Sequence, residues 1–314
     1  MGSLLQEGGP PMSTLPTNIV RQGEPSRSAL RVASLRSVHQ LLDEPLVLPD
    51  PIALSLLGAS TEAALRDDPF ALNDPSRGLR GTLVARSRFV EDELSSCVAA
   101  GVRQYLVVGA GLDTFAYRNP YRDEGLRVFE VDRPGTQRWK QQLLAEASIG
   151  VPASLTFVPA DSERDDLGSA PRRAGLRADR AACVSWMGVT MHLTADAVAA
   201  TLRTVAGFAA GSRLCFNYSV PVKMLNPVER VVNEVMEQRL AALGEPWLAT
   251  VRSNAVAEAT ARTGFQYRTE RHAGGPQRAL FRSTQRRASY PRQRTRHVRE
   301  QVMRCPGGTA TRSA

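Results

Sequence analysis

Two glycines and a spaced set of carboxylates are the residues of this 314-residue chain best suited to chemistry. Gly109 and Gly111 follow the apolar run Tyr105–Val108, and Asp113 comes directly after them. Glycines so placed let a backbone turn sharply and approach a ligand closely. The next apolar run, Leu126 to Val131, contains Glu130 and is followed by Asp132. The third, Leu155 to Val158, is followed by Asp161 and Ser162. A strand, a glycine turn and an acidic strand end about twenty residues on form the pattern of a nucleoside-binding βαβ unit. Side chains two apart on a strand share a face, so Glu130 and Asp132 are expected to share one site, with Asp132 nearer the ligand. Asp113, Asp132 and Asp161 also have plainer readings, as helix caps or loop residues.

The choice of nucleoside follows from what the motif lacks. A dinucleotide fingerprint requires a third glycine where Thr114 stands, and that glycine allows close helix–strand packing around a pyrophosphate. Its absence weighs against NAD and FAD, as does the absence of a Tyr-x-x-x-Lys pair against an NAD(P)-dependent oxidoreductase. No GxxxxGK[ST] occurs, which excludes a P-loop. A glycine turn with Asp113, Asp132 and Asp161 can hold an amino-acid ammonium group, a ribose diol and an adenine amino group. S-adenosylmethionine carries all three. His192 is the candidate general base, and a lone histidine is as readily structural. Cys97, Cys183, Cys215 and Cys305 form no CxxC pair, so reduced thiols and no metal site are expected.

The net charge of +9 is a property of one end. From Arg271 onward there are eleven arginines and one acid, Glu300, leaving the preceding body near neutrality. A nucleic-acid surface is therefore not expected: from Arg282 to Ala314 there is no aromatic interleaving apart from Tyr290. No run of about eighteen apolar residues is present, nor an apolar core near the start flanked by basic residues, so a cytoplasmic protein with no membrane partner is expected.

The elements that must position these residues alternate. Helical spacing covers Ser28 to Leu42, with Arg31, Arg36 and His39 interleaved, and Leu79 to Ala100, which carries Arg86, Arg88 and Glu91 and closes at Gly101. Asp50-Pro51 predicts a helix over Ile52–Leu57 with Asp50 as its cap. A helix is expected to begin at Thr114 and to be cut short by Pro120. Further strands are predicted at Arg180–Trp186, Arg213–Tyr218 and Phe265–Thr269, and helices at Thr136–Ala147, Thr194–Phe208, Pro227–Leu243 and Ala255–Thr263. This alternation predicts a doubly wound α/β sheet. Residues 1–25 and 276–314 are expected to be disordered extensions of one domain spanning 26–275, with a helical part over 26–100 and the sheet over 101–275.

Arg86-Ser-Arg88, Gly109-Ala-Gly-Leu-Asp-Thr-Phe-Ala-Tyr-Arg118, Phe129-Glu-Val-Asp-Arg-Pro134 and Trp186-Met-Gly-Val-Thr-Met-His-Leu193 resemble the leucine carboxyl methyltransferase family. The likeness is closest to its bacterial branch of S-adenosyl-L-methionine-dependent methyltransferases and covers roughly residues 30 to 250. It implies a class I methyltransferase fold of Rossmann-like type with an N-terminal helical cap. It further implies that Arg86 binds the cofactor's methionine carboxylate and that the turn at Gly109 passes beneath methionine and ribose. Asp132 would then take the ribose hydroxyls, and Asp161 with Ser162 the adenine. The family often has Glu where Met187 stands and Tyr where His192 stands. The first change removes a polar contact at the methionine end, and the second alters the substrate side. The family's last sheet strands are hard to find after Gly264.

The expected activity is transfer of a methyl group to a carboxylate or hydroxyl of a small molecule, with the helices over 27–58 covering the pocket. Two alternatives stay open: a methyltransferase-like protein that binds the cofactor without turnover, motivated by Met187 and by the C-terminal sequence, and, against the missing motifs, an NAD(P)-binding oxidoreductase of Rossmann type.

Overall fold

The computed structural model describes residues 26–68, 77–161, 165, 167–242, 266–272 and 298–304. The expected N-terminal extension, Ser162, the helix over 255–263 and most of the tail lie outside them. Five parallel strands are built from the short apolar runs: β1 (Gln104–Val108), β2 (Arg127–Asp132), β3 (Leu155–Pro159), β4 (Cys183–Trp186) and β5 (Arg213–Ser219). With β6 (Gln266–His272) and β7 (Val298–Arg304) they form a sheet of order β3-β2-β1-β4-β5-β7-β6. β7 lies antiparallel to both β5 and β6. This corrects the expected tail at one point, because residues 298–304 of the arginine-rich segment are a sheet strand. The sequence hides it: Val-Arg-Glu-Gln-Val-Met-Arg has neither strict alternation nor a continuous apolar run.

Strand order reverses between β1 and β4, which leaves a crevice at their carboxyl ends, the usual place for a ligand in an open α/β sheet. Both faces of the sheet are covered. On one, Leu106, Val184, Trp186, Leu214 and Phe216 pack with Leu167 and Ala170, next to and within α5 (Ser169–Arg173), and with Leu202 and Val205 of α6 (Ala195–Ala206). On the other, Tyr105, Val107, Cys183 and Cys215 meet Phe89, Val90, Leu94 and Cys97 of α3 (Arg77–Ala99). Cys97, Cys183 and Cys215 are buried free thiols.

A third cluster joins α1 (Arg27–Leu42), α2 (Ala59–Asp67) and α4 (Pro134–Glu146) through Ala33, Val38, Leu65 and Leu144. Helix α1 is capped by Ser26, whose Oγ accepts the Ala29 N–H at 3.1 Å. It is enclosed along the whole stretch Ala33–His39, Arg36 and His39 included. His39 is structural. Its Nε2 accepts the Val47 N–H at 3.2 Å, so its proton sits on Nδ1, 2.7 Å from Asp43. Asp43 in turn holds Arg80 at 2.8 Å.

Two expected helices shrink to single 3₁₀ turns, at Ser55–Leu57 and Phe115–Tyr117. The cause is shared. Asp50 does not cap a helix but turns its carboxylate inward to Arg36 and Thr114, and Asp113 takes the Phe115 N–H at 2.8 Å, which tightens the turn. No helix among the described residues is long and apolar enough to cross a membrane.

Candidate functional site

The glycine turn is held from three sides. Gly109 and Ala110 both donate to Val131 O, at 2.8 and 3.1 Å, which ties the end of β1 to the end of β2. Gly109 has φ +70°, and a Cβ there would lie 2.2 Å from Val189 Cγ2. Only glycine serves both the backbone conformation and the packing. Gly111 is covered by α1: a Cβ on it would stand 3.0 Å from Ala29 Cβ. Protein atoms from the β4 turn and from α1 thus press on the turn, and beside them a cavity of about 370 Å³ opens.

Of the carboxylates read from the sequence, Asp113, Asp132 and Asp161 face this cavity. Asp132 Oδ2 accepts the Gly111 N–H at 2.6 Å and its Oδ1 the Arg133 N–H at 2.7 Å. Burial raises its pKa above the usual carboxylate value, and these two donors offset only part of that rise. For Asp113 burial also acts upward, but Arg36, Lys140 and Arg118 outweigh it and hold the group below its ordinary value. Asp161 follows β3 by two residues, and its N–H donates to Asp165.

Glu130 is not brought to the cavity. It lies one layer deeper, 1% exposed, with Oε2 2.6 Å from Lys140 Nζ of α4. Glu130 has the same strand parity as Asp132, but Gln137 and Lys140 of α4 bond to it and hold it away from the cavity. Burial pushes its pKa up to about 7, against the pull of Lys140.

Arg86 of α3 reaches the cavity, whereas Arg88 pairs with Asp92 on the exposed side at 2.8 Å. Gly188 makes room for it: with φ +75°, a Cβ there would lie 3.3 Å from Arg86 Nη2. The turn after β4 presents Met187, Val189 and His192 to the cavity, with His192 half-buried. A residue behind the wall fixes this turn. Asn217 of β5, fully buried, accepts the Gly188 N–H on its Oδ1 and the Thr190 hydroxyl on its backbone carbonyl, both at 2.6 Å.

Arg36 of α1, which nothing in its local sequence singles out, joins the wall of this cavity. Its guanidinium, 5% exposed, donates to Asp50 at 2.6 Å, Thr114 Oγ1 at 2.8 Å and Asp113 at 3.1 Å. Thr114 in turn donates to Asp50 at 2.6 Å. Arg118, bound to Glu91, extends the network to within 3.5 Å of Asp50. Thr114 therefore has a positive role where a dinucleotide fold would have glycine: its hydroxyl locks the turn to α1. The one sequence-level sign was a set of charges interrupting the apolar spacing of α1. Tyr105 and Ser185, also unanticipated, meet on the cavity wall, the tyrosine hydroxyl donating to Ser185 Oγ at 3.0 Å.

Five parallel strands closed by an antiparallel β7, with a glycine turn and two acidic strand ends at the switch point, define a class I methyltransferase fold. The sequence model of the leucine carboxyl methyltransferase family matches residues 29–206, more than half of the chain, and the chain belongs to that family. The Bacillus subtilis protein YktD, named as an S-adenosyl-L-methionine-dependent methyltransferase, is 29% identical over 251 residues, which cover 72% of this chain and 82% of YktD. A Mycobacterium leprae protein so named is 34% identical over 60% of this chain and 62% of its own length. Among solved structures, a DUF574 family protein from Streptomyces avermitilis superposes with TM-score 0.52 at 18% identity, covering 87% of this chain and 97% of its own. A Thermobifida fusca protein named as a methyltransferase does so with TM-score 0.51 at 19% identity, covering 83% and 96%. These two likenesses concern the fold.

Proposed function

We propose that the chain binds S-adenosylmethionine in the cavity at the β1–β4 switch point and transfers its methyl group to an oxygen of a small molecule. The carrying observation is Asp132, held at the end of β2 against the Gly111 N–H, beside a turn that only glycines can form. The residues present fit the group. Asp132 offers a carboxylate for the ribose diol, Asp161 one for the adenine amino group, and Arg86 a guanidinium for the methionine carboxylate, all on one cavity. When bound, the cofactor supplies a methyl carbon already made electrophilic by the sulfonium, so the protein's task is alignment and exclusion of water.

The acceptor decides how much acid–base work remains. A carboxylate is ionised near neutral pH and needs no base. A hydroxyl does, and His192 or a nearby acid on the cavity wall is the candidate to take its proton. Helix α1, whose Ala29, Val32 and Ala33 line the cavity, forms its cover and bears on acceptor choice. Met187 on the same wall favours one other reading, a protein that binds the cofactor without turning it over.

Calorimetry with S-adenosylmethionine, S-adenosylhomocysteine and NAD tests the assignment. Binding of the two sulfur nucleosides and not of NAD is expected, and failure of both to bind would end the methyltransferase reading. Asp132→Ala is expected to weaken S-adenosylhomocysteine binding at least tenfold, the loss of about 1.4 kcal/mol or more that removing a charge-assisted hydrogen bond entails. An unchanged affinity would remove Asp132 from the site. Turnover of labelled cofactor with carboxylate or hydroxyl acceptors separates the enzyme from the non-catalytic binder.

A further inference from the structure

The Tyr105–Ser185 pair is not explained by the fold. Both side chains sit in the layer that packs on α3, where β1 and β4 otherwise present Val107 and Cys183. Both are almost fully buried, at 3% and 4% exposure, and both line the cavity. Two hydroxyls in such a place cost stability unless their hydrogen-bonding capacity is used. The Tyr105 O–H donates to Ser185 Oγ at 3.0 Å. That leaves the Ser185 proton and a lone pair on the Tyr105 oxygen, and neither has a further partner among the described residues. The pair thus offers the cavity one donor and one acceptor side by side.

The pair is also rigid. The Tyr105 ring meets Phe115 edge-on, with centroids 5.2 Å apart and planes at 85°. Phe115 is itself fixed by the Asp113 turn. Burial raises the Tyr105 pKa well above its ordinary value, with Asp113 and Glu91 adding to the rise, so the phenol is a fixed hydrogen-bonding group and no base. Arg86 and Met187 share the same cavity. An amino-acid zwitterion supplies both complements: its carboxylate can take the Ser185 proton and its ammonium can give one to Tyr105, with the Arg86 guanidinium on the same cavity.

We infer that Tyr105 and Ser185 bind the charged amino-acid end of the cofactor and set the discrimination of this chain against nucleosides that lack it. The inference rests on the methyltransferase reading above. It adds two uncharged residues to that site and assigns them a ligand group.

Truncating the ligand tests it. S-adenosylhomocysteine and 5′-methylthioadenosine share the adenosine and the thioether, and only the first carries the amino-acid end. Calorimetry on the full chain and on Tyr105→Phe and Ser185→Ala is expected to show S-adenosylhomocysteine binding weakened roughly five- to tenfold by either change, the size of one buried hydrogen bond. Binding of 5′-methylthioadenosine should stay within about twofold by the same measure. Tyr105→Phe keeps the ring against Phe115, and Ser185→Ala removes a single atom, so either variant can carry the test if the other does not fold. Equal losses for both ligands, or no loss for S-adenosylhomocysteine, overturns the assignment. If the unaltered chain binds neither ligand, the methyltransferase reading itself fails and takes the assignment with it.

Discussion

At the scale of single residues, Glu130 shows how position along one strand separates two roles. Asp132 ends β2 and meets the cavity, while Glu130, two residues earlier, is sealed beneath α4 with Lys140. Its pKa, raised by burial from the ordinary 4.5 to about 7, gives the pair a pH signature. A carboxyl group whose folded pKa lies above its unfolded value favours folding while protonated, and that contribution is lost as pH rises from about 4.5 to about 7. The double variant Glu130→Gln with Lys140→Met replaces the pair by neutral side chains. Denaturant unfolding across this window is expected to show the unaltered chain losing on the order of 3 kcal/mol relative to the double variant. Parallel pH profiles would show that Glu130 stays ionised throughout. That Asp113, Asp132 and Asp161 come to the strand ends beside the cavity was readable, because glycines and prolines mark those ends. The depth of Glu130 was not, since alternation reports the face of a strand and says nothing of which helix closes over it.

At the scale of elements, the central device is the contact between α1 and the glycine turn. Arg36, Asp50, Asp113 and Thr114 form a buried, mutually bonded set that joins a helix, an irregular segment and a strand-end turn. Thr114→Val keeps the side-chain shape and removes the hydroxyl, leaving Arg36 and Asp50 each one bond short. A loss of about 1–3 kcal/mol in unfolding free energy is expected, as for any buried polar group deprived of its partner. A variant as stable as the original would mean that the threonine only fills space. The five parallel strands and α1, α3, α4, α6 and α7 (Pro227–Ala242) were legible from their periodicity. The turns at Ser55–Leu57 and Phe115–Tyr117 were not, because the residues that shorten them pair with Arg36 from 14 to 78 positions away. Such pairs leave no local pattern. The same holds for Asn217, which reads as an ordinary strand residue and yet holds the turn that carries Met187, Val189 and His192.

At the scale of the molecule, the sheet depends on a strand that composition conceals. β7 comes last of the described elements and lies between β5 and β6, pairing with seven residues of β5. A chain ending at residue 297 would leave the β5 edge without its partner and β6 detached from the sheet. We expect that truncated chain to lose its cooperative thermal transition or to aggregate. If it melted like the full protein, residues 298–304 would belong with a solvated tail. The arrangement also has a consequence for how the protein is made. Every residue that lines the cavity, and Asn217 behind it, is synthesised by residue 217, but the β5 edge gains β7 only after some eighty further residues. Over that interval the nascent chain holds all the cavity residues beside a strand edge that β7 has yet to cover. It is then that a chaperone, or early binding of the nucleoside, has the most to protect.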